Sequence, residues 1–259
     1  MGSCFLKNIV AGSAVAALLL ISTNASAQFS SLTGGEQTCN LKPYFLQLQA
    51  LQSTASSTPP DLEVELKIRK DLLRTAVRCA SDEALLLQSK IRIISTTDQS
   101  IQQIQNYLVA QLDAALAYYT TSDLRINRLD IEGSKSVAKT LLEWRRTTFA
   151  QLSDEVVNFL IWFANQDLFK AAEKRLSQLS QTIIDFRLTE DRDVLVLLQK
   201  AKLSFGEAQG SNRDARFSFR SDQSSNTIIF IKSSLEHLAE AYQRFLELNQ
   251  LVKNKILSQ

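Results

Sequence analysis

The chain has 259 residues, with 29 lysines and arginines against 27 acids and a net charge of +2. That length builds a full core without metal staples, and near-neutrality argues against a general nucleic-acid binder, which needs a basic face. With 7 glycines, 3 prolines and 1 histidine, the chain lacks the turn chemistry of sheet folds and the ligand supply of multi-imidazole metal sites.

Met1 to Asn8 carries Lys7 and no acid, Ile9 to Ile21 is an apolar run, and Ala25 and Ala27 fill the small-residue positions of an A-x-A site. This order predicts a secretory signal peptide over residues 1–27, cleaved after Ala27. The run is shorter than the roughly 20 residues of a spanning helix, so retention as an uncleaved membrane tether is the weaker alternative. The expected address is periplasm, cell surface or medium, with no integral span after cleavage. Cys4 leaves with the peptide, and the remaining pair, Cys39 and Cys79, is expected as a disulfide.

Residues 28–60 read as an N-terminal segment. It has an open start to Gln37, a short helix around Asn40 to Gln52 with Pro43 in its first turn, and a Ser/Thr/Pro linker from Ser53 to Pro60. Residues 61–259 read as a helical bundle domain. From Asp61 to Glu132 there is neither glycine nor proline, and again none from Ser134 to Phe205. Helices are expected from Asp61 to Ala80 and from Ser81 to Thr120, the second bent or broken near "IRIISTTD". Gly133 marks a break, and Ser134 to Phe186 resumes with a second start near Ser153. Thr189 is expected to cap a helix ending by Gly206 to Gly210, followed by a polar loop from Ser211 to Ser225 and a last helix from Asn226 to Leu257.

Ile101, Ile104, Leu108, Leu112, Ala115 and Tyr119 step by three and four, one face of a helix. Leu176, Leu179, Ile183 and Phe186 do the same, as do Leu235, Leu238, Tyr242, Phe245, Val252 and Ile256, with Asn249 in an apolar slot. The fold class is all-α, an elongated helical bundle or a set of coiled-coil-like antiparallel helix hairpins. The run "VVNFLIWFA", Val156 to Ala164, rises only about 13.5 Å as helix, against a hydrocarbon thickness of roughly 30 Å. It therefore predicts the centre of the core, with Phe159, Phe163 and Trp144 in an aromatic cluster and Trp162 at its edge.

The stretch "AKTLLEWRRTTF", the aromatic run and "LFKAAEKRLSQL", within Val137 to Leu179, is similar to secreted all-helical proteins encoded by small-genome, candidate-phylum bacteria. The resemblance implies an architecture and a compartment, and no activity.

Signatures for phosphate loops, dinucleotide turns, dithiol redox and calcium sensing are missing, and with His237 alone a Ser–His–Asp triad is improbable. His237, with Glu236 and Glu240 nearby in sequence, reads as a solvated helical residue, so no metal, cofactor or catalytic residue is expected. Acids such as Asp154, Glu155, Glu190, Asp191 and Asp193 sit where helix starts favour negative charge. The segment "RDARFSFR" alternates Arg213, Arg216 and Arg220 with Phe217 and Phe219, a composition suited to peripheral contact with an anionic envelope component. Asp214 and Asp222 cut the local charge, however, and favour a loop whose phenylalanines tuck onto the bundle while the arginines face water. The expected function is a non-catalytic scaffold or partner-binding role at the envelope, the partner being another protein or the chain itself. The alternatives are a carboxylate-dependent hydrolase acting on envelope polymer and a self-assembling coiled-coil structural protein.

Overall fold

The computed structural model describes residues 39–54, 61–219 and 226–258. The expected signal peptide, the rest of the chain before Cys39, most of the expected linker before Asp61 and the interaction candidate Arg220 lie outside the described residues. The described residues form eight α-helices and no strand: α1 (Lys42–Thr54), α2 (Leu62–Arg92), α3 (Gln99–Ile126), α4 (Ile131–Trp144), α5 (Ala150–Ala164), α6 (Gln166–Asp185), α7 (Arg192–Ser218) and α8 (Thr227–Leu257). A π-helical turn, Arg145–Phe149, joins α4 to α5, and a 3-10 turn, Leu188–Glu190, precedes α7. The all-α class follows directly, and no described helix is long and apolar enough to cross a membrane.

Aspartates start four of these helices. Asp61, Asp98 and Asp130 cap α2, α3 and α4 through their carboxylates, and Asp191 accepts the N–H groups of Asp193 and Val194 at the head of α7. Each such cap contributes about 1 kcal/mol. The Asp130 cap also explains Gly133, which lies in the first turn of α4: its N–H donates to Asp130 Oδ1 at 2.7 Å, and a Cβ there would sit 2.8 Å from the same oxygen.

Several boundaries differ from those expected. No break occurs at Ser81, because Ala80 and Ala84 belong to the continuous buried stripe of α2. The β-branched "IRIISTTD" ends that helix, and Gln105 Nε2 donates to the carbonyls of Ile91 and Ile94 at its end. Ser153 lies inside α5, and the departure from α-helix comes earlier, in the π turn. The largest correction concerns Ser211 to Ser218, expected as loop. α7 runs through Gly206 and Gly210 to Ser218. Each glycine disfavours the helix by about 1 kcal/mol, which burial of Phe205, Ala208 and Ala215 along the opposite face outweighs.

The stretch 61–259, expected as one domain, divides between two compact units. The N-terminal unit takes in Gln37–Phe163 and Ser218–Thr227, and the C-terminal unit takes in Ala164–Phe217 and Ile228–Gln259.

In the N-terminal unit α2 and α3 form an antiparallel hairpin. Lys70 Nζ near the start of α2 donates to the carbonyl of Asn127 beyond the end of α3, and Gln88 Nε2 donates to Asp113 at 2.6 Å. The chain from α4 to α5 then returns along α3, with Trp144 stacked on Tyr118 at 4.1 Å and Phe149 edge-on to Tyr119. The stripe from Ile101 to Tyr119 is buried throughout. Val156, Phe159 and Trp162 of α5 are buried as well, and the rings of Phe159 and Trp162 lie 5.6 and 5.7 Å from that of Phe219. Trp162 is 2% exposed, so it stands inside the core rather than at its edge, with Phe163 partly buried beside Phe159. A disulfide between Cys39 and Cys79 fastens the segment before α1 to α2.

In the C-terminal unit α7 runs antiparallel to both α6 and α8. Gln166 pairs with Asn212, Ser211 with Ser233, and Asp191 at the head of α7 with Lys255 near the tail of α8 at 2.7 Å. Phe169, Ala172, Leu179 and Ile183 of α6 close on Val194, Leu198, Ala201 and Phe205 of α7 and on Leu238, Phe245, Leu248 and Val252 of α8. Leu248 fills the layer where Asn249 interrupts the expected apolar spacing.

Deleting a fully buried ring leaves a cavity as well as losing its transfer energy. Phe159→Ala should therefore lower unfolding stability by about 3–5 kcal/mol in a denaturant titration. A loss under about 1 kcal/mol would mean this face of α5 is open in the monomer.

Candidate functional site

The packing of α3 against the chain from Trp144 to Glu155 leaves a cleft of about 540 Å³ in the N-terminal unit. Tyr107, Tyr118 and Trp144 supply its aromatic surface, Gln111 and Gln151 its amides, and Thr147 and Thr148 its hydroxyls. Glu155 is the one carboxylate of the lining.

The π turn shapes this cleft. Its wider bonding runs from the Ala150 N–H to the Arg145 carbonyl, which offsets α5 from α4 and places Thr147 and Thr148 on the cleft wall. Such insertions occur frequently at functional sites. Arg145 anchors the turn from outside, pairing with Glu83 at 2.6 Å and lying over the Phe149 ring at 5.5 Å. Behind the wall Tyr119 is 2% exposed. Burial pushes its phenol up to about 12, outweighing the nearby Arg145 cation. Its hydroxyl makes no well-formed hydrogen bond, although Arg145 approaches it.

Glu155 is the unusual group. The sequence places it among the acids that favour a helix start, yet α5 has already begun at Ala150 and the side chain faces the cleft half-buried. No hydrogen bond or ion pair reaches it among the described residues, and burial raises its carboxyl from 4.5 to about 7. Near neutral pH it thus exchanges between hydrogen-bond donor and anion, at the foot of an aromatic surface. A paired-acid glycosidase mechanism needs two carboxyls within about 10 Å of each other, and this lining holds a single one.

The structure does not assemble the "RDARFSFR" residues into one patch. Arg213 and Phe217, 73% exposed, share the outer face of α7. Arg216 is half-buried, and Phe219 turns into the core of the N-terminal unit. Trp144 belongs with Tyr118, Tyr119 and Phe149, a grouping separate from Phe159, Phe163 and Trp162. His237 differs from its solvated reading: its Nδ1 is buried, and the carboxylates facing it are Glu207 and Glu240, while Glu236 points to solvent. Glu207 and Glu155 are the groups that sequence reasoning missed. The i+3 spacing of His237 and Glu240 was visible, whereas Glu207 arrives from another helix.

A carboxyl raised by burial disfavours the folded state at pH values where it must ionise. Below its unfolded value of 4.5 it contributes nothing, and its penalty grows as pH rises toward 7 and then levels off. Allowing for its remaining solvent contact, the penalty is about 1–2 kcal/mol. Glu155→Gln should accordingly match the wild type in stability at about pH 4 and exceed it at pH 8 by that amount, measured by chemical denaturation. Equal stabilities at both pH values would place the carboxyl in water.

Compared with protein-family models, curated proteins and solved structures, the chain finds no match in any of the three.

Proposed function

We propose that this is an exported, non-catalytic helical protein of the cell envelope whose work is to bind a partner, with the α3–α5 cleft as its contact site. The observation that carries the reading is Glu155, a partner-less, half-buried carboxylate facing an aromatic cleft built on a π turn. A folded chain keeps such a group at a stability penalty, and perturbed carboxyls concentrate at binding and catalytic sites. A cationic or hydrogen-bond-donating group of a partner protein, laid over Tyr118 and Trp144, would satisfy the carboxylate and use the exposed ring faces. Export is supported by the tripartite leader and by the Cys39–Cys79 bond, which suits an oxidising compartment.

A second reading, self-association, is favoured by the outer face of α7. Val196, Leu203, Gly206, Gly210, Arg213 and Phe217 recur there at helical spacing opposite the buried stripe, and a Cβ on either glycine would meet nothing within 4 Å. A helix apolar on two sides is usually covered on both.

Photo-crosslinking in cells separates these readings. A photoreactive residue at Gln111 should capture a distinct protein species, weakened when Thr148→Trp fills the cleft or Glu155→Gln removes the charge. The same residue at Leu203 should capture the chain itself only if the second reading holds. Identical adducts from Gln111 and from a control site at Lys139 would contradict the cleft assignment.

A further inference from the structure

The antiparallel packing of α7 on α8 in the C-terminal unit places Glu207 opposite His237, and Glu240 lies one turn along from His237 on α8. One ligand atom from each residue falls within 4.8 Å of the other two. His237 Nδ1 is 3.6 Å from Glu207 Oε2 and 3.8 Å from Glu240 Oε2. Both separations exceed hydrogen-bond length, and Nδ1 has neither solvent contact nor any hydrogen-bond partner. A buried polar nitrogen left in this state is unfavourable by about 1–3 kcal/mol.

The carboxylates face water, at 48% and 63% exposure. Neither Glu207 nor Glu240 forms an ion pair with lysine or arginine among the described residues. The nearby cation of α8, Arg244, is occupied by Glu247 at 2.9 Å. Two carboxylates and one imidazole nitrogen therefore converge within 4.8 Å of one another, with no lysine or arginine paired to either acid among the described residues.

We propose that Glu207, His237 and Glu240 form a binding site for a divalent transition-metal ion of the zinc(II) class. Bonds of about 2.0–2.2 Å from one ion to an imidazole nitrogen and two carboxylate oxygens set the ligand atoms roughly 3–3.5 Å apart. The two nitrogen–oxygen separations exceed this by a few tenths of an ångström, and all three ligand atoms lie within 4.8 Å of one another. The side chains of Glu207 and Glu240 are 48% and 63% exposed, so small rotations of free side chains close the gap without moving the backbone. A mixed imidazole and carboxylate set suits borderline ions such as zinc(II) better than magnesium, which favours oxygen ligands and its own water shell. Two carboxylates and a neutral imidazole balance the charge of the ion, and three protein ligands leave a position for water or for a group from a partner. The site lies in the C-terminal unit and does not depend on the cleft reading above.

Isothermal titration of the purified, untagged full chain with zinc chloride tests this. One zinc per chain should bind, with the same affinity in Glu236→Gln, whose side chain points to solvent outside the cluster. His237→Ala and Glu207→Gln should each weaken binding at least about tenfold while far-UV circular dichroism remains helical. Glu240→Gln, altering the most exposed of the three groups, provides a variant that leaves the packing alone and should weaken binding in the same sense. Absence of saturable zinc binding by the wild type would overturn the proposal. So would unchanged affinity in His237→Ala, or magnesium competing as well as zinc.

Discussion

Each long helix of this chain carries one continuous apolar stripe, and a stripe of that width stays dry only when flanked by two others. In the N-terminal unit the stripe of α3, Ile101 to Tyr119, is enclosed in this way by the stripe of α2, Phe149 of the π turn and the buried residues of α5. In the C-terminal unit Val194, Leu198, Ala201 and Phe205 of α7 stand between α6 and α8. Each unit is thus an up-down-up arrangement of three long helical segments. Aspartate caps and short connections fix where each helix begins, and the meeting of stripes fixes its register. Every other feature is positioned by that register.

Two groups with unmet chemical demands, Glu155 and His237, sit beside these cores. Glu155 belongs to α5, whose neighbouring Val156 is fully buried. The helix that buries Val156 holds the preceding carboxylate over the cleft, and the π turn opens the space in front of it. His237 precedes the fully buried Leu238, so the imidazole is held at the edge of the C-terminal core, against Glu207. A group one position along from a core residue has its backbone fixed by packing and its side chain at the boundary of water. Such a position is pre-organised for a ligand that contributes the missing charge.

Much of this architecture was legible in the sequence because spacing alone encodes which face of a helix is buried. The six residues from Ile101 to Tyr119 were read as one face, and all six are buried. The scarcity of glycine and proline pointed to long helices, and Cys39 and Cys79 pair as expected. Local chemistry misled where tertiary packing outweighed it. Gly206 and Gly210 carry the usual signal of a helix end, yet the apolar residues at Phe205, Ala208 and Ala215 hold α7 together across them. Phe217 and Phe219 look equivalent in sequence, yet Phe217 on the outer face of α7 is exposed and Phe219, just past the helix end, is buried. The π turn has no compositional signature in "RRTTF". Glu155 resembles any acid near a helix start, and the pairing of Glu207 with His237 depends on the register between α7 and α8, which no local pattern specifies.

The account rests most heavily on α5 as a core helix. Acrylamide quenching of a Trp144→Phe variant, which leaves Trp162 as the sole tryptophan, tests this directly. Blue-shifted emission that acrylamide barely quenches in the folded monomer, and quenches freely after denaturation, is the predicted result. Red-shifted emission quenched as readily in the folded chain as in the unfolded one would put Trp162 in water and contradict the account.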